Sequence, residues 1–237
     1  MERKRKAAIL ETSLFETPIG KIVQRKKTEA LLGRSDPKDP CIQYYNELND
    51  ALYNLSHTFW DLGLTIKLIR FAHPDIKSFK MTKVDKGDYL KYHFENYFFR
   101  LPKLKDQVLQ LINILYQLNF KQDPGLEKKI RRHPKVQQGV MAHLIDYFDE
   151  ALRNITPLRH RIAHRSDLEN QEFAMLSAYS ILEYEDEGKD QTIRGLVAQS
   201  FIMEQNQATL KEAVIAVLFS LEEDFNEQLS IFSKKNI

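Results

Sequence analysis

A chain of 237 residues that is 43% hydrophobic can bury a large core, and its net charge of +2 leaves it nearly neutral. Eight Gly and eight Pro are too few for a turn-rich β-sandwich, and a single cysteine, Cys41, excludes an internal disulfide or a thiolate metal cluster. The longest apolar run, AVIAVLF at 213–219, falls far short of the ~20 residues that span a bilayer, and the basic start MERKRKAAILETSLFE lacks the apolar stretch of a signal sequence. A soluble cytoplasmic protein in a reducing compartment, with no membrane contact, is expected.

The charge is uneven. Residues 1–35 hold nine Lys and Arg against four Glu, a net of +5, which leaves about −3 for the remainder. A basic N-terminal arm over 1–37 is therefore expected to precede a helical domain over 38–237. The arm is expected to be loosely ordered and solvated; contact with nucleic acid or an acidic partner is the other outcome its charge allows.

Between residues 38 and 73, Leu48, Leu52, Leu55, Phe59, Leu62, Ile66 and Ile69 recur at a mean period of 3.5, the pattern of a long helix in a bundle. Pro74 should end it, because the residue before a proline is pushed out of helical geometry. A second helical run, about Asp88 to Leu118, carries a stripe of Leu104, Val108, Leu111, Ile112, Leu115 and Leu118. Pro102 lies inside this run and has no N–H for the carbonyl of Phe98, so a kink or break is expected there. Residues 121–135, KQDPGLEKKIRRHPK, form a basic connection with room for a short helix. A third helix follows on Val136, Val140, Met141, Leu144, Ile145, Phe148 and Leu152. Thr156 and Pro157 have the chemistry of an N-cap and a first helical residue.

Beyond residue 170 the pattern favours a helix through NQEFAMLSAYSILEYE, although the alternation of Phe173, Met175, Tyr179 and Ile181 leaves a small hairpin near 174–199 open. EDEGKDQ at 185–191 is expected to be a solvated loop. A final helix should run from Thr209 to about Phe232, with Leu210, Val214, Val217, Leu218, Leu221 and Phe225 on one face. The expected fold class is all-α, a bundle of long antiparallel helices.

LRHRIAHR at 158–165 carries the chemistry. Residues 151–166 contain four Arg, two His and no acid. Such a patch suits phosphate, because the arginine fork grips two phosphate oxygens and histidine exchanges protons near neutral pH. His160 and His164 share a helix face at the spacing of a metal pair. Arg161, however, occupies the place where a zinc hydrolase has its glutamate base, and it would repel a cation. No third ligand is evident, so neither metal nor other cofactor is expected. Arg161 and Arg165 form a cationic stripe that, with Arg153, suits binding of an RNA backbone. Arg159 and His164 are rotated ~140° apart on an ideal helix, so a kink or a second subunit is needed to line one groove with both. The plain alternative for all of these is a solvated basic helix face.

RHRIAH resembles the R-x4-H signature of the HEPN family of all-helical domains, with His160 in the polar slot after the arginine. FENYFFRLPKLKDQVLQL upstream is similar to the second long helix of some members, which carries polar groups facing the motif; Glu95 and Asn96 are the candidates. In organisation the similarity covers about residues 40–232. It implies a HEPN-like bundle and a metal-independent endoribonuclease of toxin or defence type, usually a homodimer, acting on RNA beside an antitoxin or other defence-system partner. On this mapping Arg159 clamps the phosphate, His164 is the general base or acid and His160 supports them. The alternative is a non-catalytic HEPN-like scaffold that binds RNA, a nucleotide or a protein through the same patch. The aromatic run Tyr89, Tyr92, Phe94, Tyr97, Phe98 and Phe99 is expected to pack a core or dimer rather than stack bases.

Overall fold

A computed structural model describes residues 13–34, 36, 38–73, 85–137, 139–153, 171–181, 187–223, 225, 226 and 229. These form a 3-10 turn at Leu14–Glu16 and eight α-helices: α1 Pro18–Leu31, α2 Pro40–Phe71, α3 Lys86–Leu115, α4 Leu126–Arg132, α5 Pro134–Gln137, α6 Val140–Leu152, α7 Gln171–Ile181 and α8 Glu187–Ser220. No strand occurs among them. The fold is all-α, as the sequence requires.

α2 starts where the Asp39 carboxylate accepts the Cys41 N–H at 2.8 Å, with Pro40 as first helical residue. All seven residues of its predicted seam are buried, none more than 3% exposed. The chain divides into two compact units, one from 1–58, 104–150 and 208–237, the other from 59–103 and 151–207. In the first, the Tyr44 hydroxyl donates to the Leu115 carbonyl at 3.1 Å and the Gln107 amide to the Asn54 carbonyl at 3.1 Å, so α2 and α3 run antiparallel. The Tyr44 and Tyr45 rings pack on Phe225. In the second, Arg100 of α3 pairs with Asp61 of α2, and Arg70 donates to Ser200 Oγ at 3.0 Å and Glu204 at 2.7 Å on α8. The Tyr97 hydroxyl donates to the Met203 carbonyl at 3.2 Å, and Phe94 meets Phe173 of α7 edge-on.

Several elements differ from expectation. Residues 14–31 are not a solvated arm: Thr17 caps α1 by accepting the Gly20 N–H at 3.2 Å, Pro18 opens the helix, and Leu14, Ile19 and Val23 are fully buried. Gly20 is required there, since a Cβ would lie 2.5 Å from the Leu14 carbonyl oxygen. Lys27 reaches Asp50 of α2 at 3.2 Å. α3 continues through Pro102 without a break, held by buried Leu101 and Leu104 on either side. It stops at Leu115 because Gln117 and Asn119 take left-handed backbone, φ 52° and 55°, while the Asn113 side chain exchanges two hydrogen bonds with the Phe120 backbone.

The third expected helix is split, with Pro134–Gln137 separate from α6. The hairpin left open near 174–199 is replaced by helix in the described residues: Phe173 and Leu176, three apart on α7, are buried, whereas Met175 is 41% exposed. Residues 187–191, expected in a loop, form the first turns of α8, where Glu187 and Asp190 suit the positive end of the helix dipole. α8 therefore begins 22 residues before Thr209. Its inward face there includes Ser200 and Gln207 beside Ile193, Leu196 and Met203, and those two polar residues interrupt the apolar period.

Because Leu52 is fully buried, Leu52→Ala is expected to cost about 2–5 kcal/mol of unfolding free energy in a urea titration. An unchanged midpoint would contradict its place in the core.

Candidate catalytic and RNA-binding site

In sequence, the acid-free segment follows α6 and precedes α7. Arg159, His160, Arg161, His164 and Arg165, with Thr156 and Pro157, lie in 154–170, outside the described residues. Three candidates are described. Arg153 is exposed just past the end of α6. Glu95 and Asn96 are half-buried on α3.

Neighbours on a helix point ~100° apart, so Glu95 and Asn96 do not face one target together. Asn96 shares its flank with His93 and Arg100, at helical spacings of three and four. Arg100 is the residue that pairs with Asp61, so this flank is the one turned to α2. Glu95 lies instead on the flank of Tyr92 and Phe99, which are 61% and 39% exposed. Of the two, Asn96 is the one set against other polar side chains of its unit.

The aromatic run divides by face. Phe94 and Tyr97 are core residues, and burial pushes the Tyr97 phenol well above its ordinary value. The basic connection is partly neutralised. Arg131 donates to Glu127 at 2.9 Å and Asp146 at 2.6 Å and also pairs with Asp149. Lys105 of α3 joins Glu127 at 2.7 Å and Asp149. Burial pushes the Glu127 carboxyl up, but the hydrogen bonds from Lys105 and Arg131 outweigh it and hold the group below its ordinary range. This cluster ties α3, α4 and α6 of the first unit together. Among the described residues no three His, Cys, Asp or Glu side chains are grouped to hold a metal ion, and no helix is long and apolar enough to cross a membrane.

The profile of the Cthe2314-like HEPN family matches residues 43–227, most of the chain. The chain belongs to this HEPN family. No curated protein and no solved structure matches it. The HEPN match takes in nearly all of α2, the whole of α3 and α8, and the R-x4-H residues 159–164; α1 falls before it.

The HEPN domain also holds a buried histidine on the Asn96 flank. His93 is 8% exposed, its Nδ1 has no hydrogen-bond partner among the described residues, and the rings of Tyr89 and Tyr92 lie 4.4 and 5.1 Å away, edge-on. Sequence alone gave this residue no partner, and its spacing to Asn96 is the signal that links it to the flank. Burial holds the imidazole below its ordinary value, so the folded chain binds this proton less readily than the unfolded chain. Its contribution to stability is complete above the unfolded value of ~6.5 and is lost as pH falls from there toward the lowered folded value. His93→Phe should therefore flatten the fall of the urea midpoint below about pH 6.5. Wild-type and variant profiles that stay parallel would contradict this.

Proposed function

We propose that this HEPN protein is a metal-independent endoribonuclease that works as a homodimer, of the kind that toxin and defence systems pair with an antitoxin or other partner. The observation that carries the reading is the sequence RHRIAH at 159–164, at the centre of an acid-free run and inside the HEPN match.

In this reading His164 accepts the proton of a ribose 2′-hydroxyl. The freed oxygen attacks the adjacent phosphorus, the bond to the 5′ oxygen breaks, and the departing oxygen takes a proton. Arg159 meets the charge that builds on the non-bridging phosphoryl oxygens, and His160 supports the pair. Arg161, Arg165 and Arg153 bind the RNA backbone. Asn96, with Glu95 as the weaker candidate, supplies the polar contribution of α3. The need for the 2′-hydroxyl restricts the chemistry to RNA. The ~140° rotation between Arg159 and His164 on a straight helix is the reason for placing two chains at one cleft.

His164→Ala should lower the cleavage rate of mixed RNA by about 10²–10⁴-fold, the usual contribution of a general base, while RNA affinity by fluorescence anisotropy is retained. Arg159→Ala should lower both, because its charge meets the phosphate before and during the reaction. Wild-type cleavage should persist in EDTA. A His164→Ala protein of full activity would overturn the assignment of the base. A wild-type chain that binds RNA without cutting it would replace the nuclease with the binding scaffold.

A further inference from the structure

Opposite its buried seam, α2 presents a second apolar face. Tyr53, Trp60, Leu64 and Phe71 are 57%, 62%, 38% and 47% exposed. They follow one another at intervals of 7, 4 and 7 residues. At ~100° per residue the four fall within an arc of about 40°, and Tyr53 and Phe71, five full turns apart, point the same way along about 27 Å of helix. His57 and Lys67, both exposed, border the arc on opposite sides. A surface leucine alone needs no explanation, but three large aromatics and a leucine aligned on one helix do.

The spacing identifies the occupant. Intervals of 7, 4 and 7 read the same in both directions. Two copies of α2 laid antiparallel about a twofold axis at the level of residue 62 therefore set Tyr53 against Phe71 and Trp60 against Leu64, twice. That self-complementarity is what an isologous contact requires, whereas an unrelated partner helix imposes no such symmetry. The heptad-like steps also match the seam along which two helices interlock side chains. The area is of the right order. A buried aromatic covers ~150–250 Å², so the half-exposed stripe offers roughly 400 Å² per chain. Pairing two stripes buries about half of the ~1,600 Å² of a standard interface, as its apolar centre.

We infer that the Tyr53–Trp60–Leu64–Phe71 face of α2 is the surface through which two copies of this chain associate. The inference deepens the homodimer proposed above by giving it an interface; it rests on exposure and spacing and does not depend on RNA cleavage. Trp60 is the only tryptophan in the chain, so its emission reports on this surface alone.

The test combines sedimentation equilibrium of the full chain with tryptophan emission over a dilution series. The expected result is a two-chain mass at micromolar concentration and a blue-shifted emission that moves red as the dimer dissociates. Leu64→Glu, which keeps the reporter, should raise the Kd by roughly 30-fold or more, the effect of an interface hot spot, with an unchanged helical circular dichroism spectrum. Trp60→Glu should do the same. A monomer at all concentrations with red emission overturns both the interface and the dimer. A monomer with concentration-independent blue emission overturns it in favour of a segment of the same chain lying on the stripe. A wild-type dimer whose tryptophan stays solvent-exposed, and whose mass Leu64→Glu does not change, overturns this interface and leaves the homodimer to another surface.

Discussion

The buried seam of α2, from Leu48 to Ile69, is the constraint on which the other long helices depend. An apolar seam with a period near 3.5 residues attracts partner helices but fixes their register weakly, because a slip of one heptad restores much of the same contact. Register is supplied by buried side chains that donate to main-chain carbonyls of neighbouring helices. Tyr44 and Gln107 reach Leu115 and Asn54 in the first unit; Tyr97 and Gln207 reach Met203 and Phe59 in the second. A slipped register would strand these groups in the core, at about 1–3 kcal/mol each. The apolar seam supplies the attraction and the polar donors choose one arrangement.

The same division of labour organises what surrounds the candidate site. α6, on one side of the acid-free segment in sequence, is anchored by Phe148, Ile145 and Leu144, and its Asp146 and Asp149 are held by Arg131. α7, on the other side, is anchored by Phe173 against Phe94 and by buried Leu176. The fixed scaffold thus has its acids engaged with cations of its own: Arg131 and Lys105 in one unit, Arg70 and Arg100 in the other. The run of Arg and His at 153–165 carries no acid of its own, which is the electrostatic setting a phosphate ligand needs.

Much of this was legible in the residues. The seam of α2 and the stripe of α3 show because every inward position is apolar. The upstream half of α8 was hidden because Ser200 and Gln207 stand on its inward face, satisfied by Arg70 and by the Phe59 carbonyl; only the folded partners make those positions readable as core. α1 was hidden by its charge, although Thr17-Pro18 is the same cap-and-start pair that was recognised at Thr156-Pro157. Pro102 misled in the opposite direction, since the packing of Leu101 and Leu104 carries the helix past the missing hydrogen bond. At the site, residue types alone identified Arg159 and His164. Choosing between Glu95 and Asn96 required the helix faces, and separating the outer stripe of α2 from its seam required burial.

The central claim is that the segment around Arg159 and His164 cuts RNA by using the ribose's own 2′-hydroxyl, and the ends of the products test it most directly. Mass spectrometry of a defined RNA after incubation with the wild-type protein in EDTA should find a 2′,3′-cyclic phosphate on one fragment and a 5′-hydroxyl on the other. A single 2′-deoxy substitution at the cleaved position should block the cut. Fragments ending in 3′-hydroxyl and 5′-phosphate, or cleavage that proceeds at the deoxy position, would contradict the account.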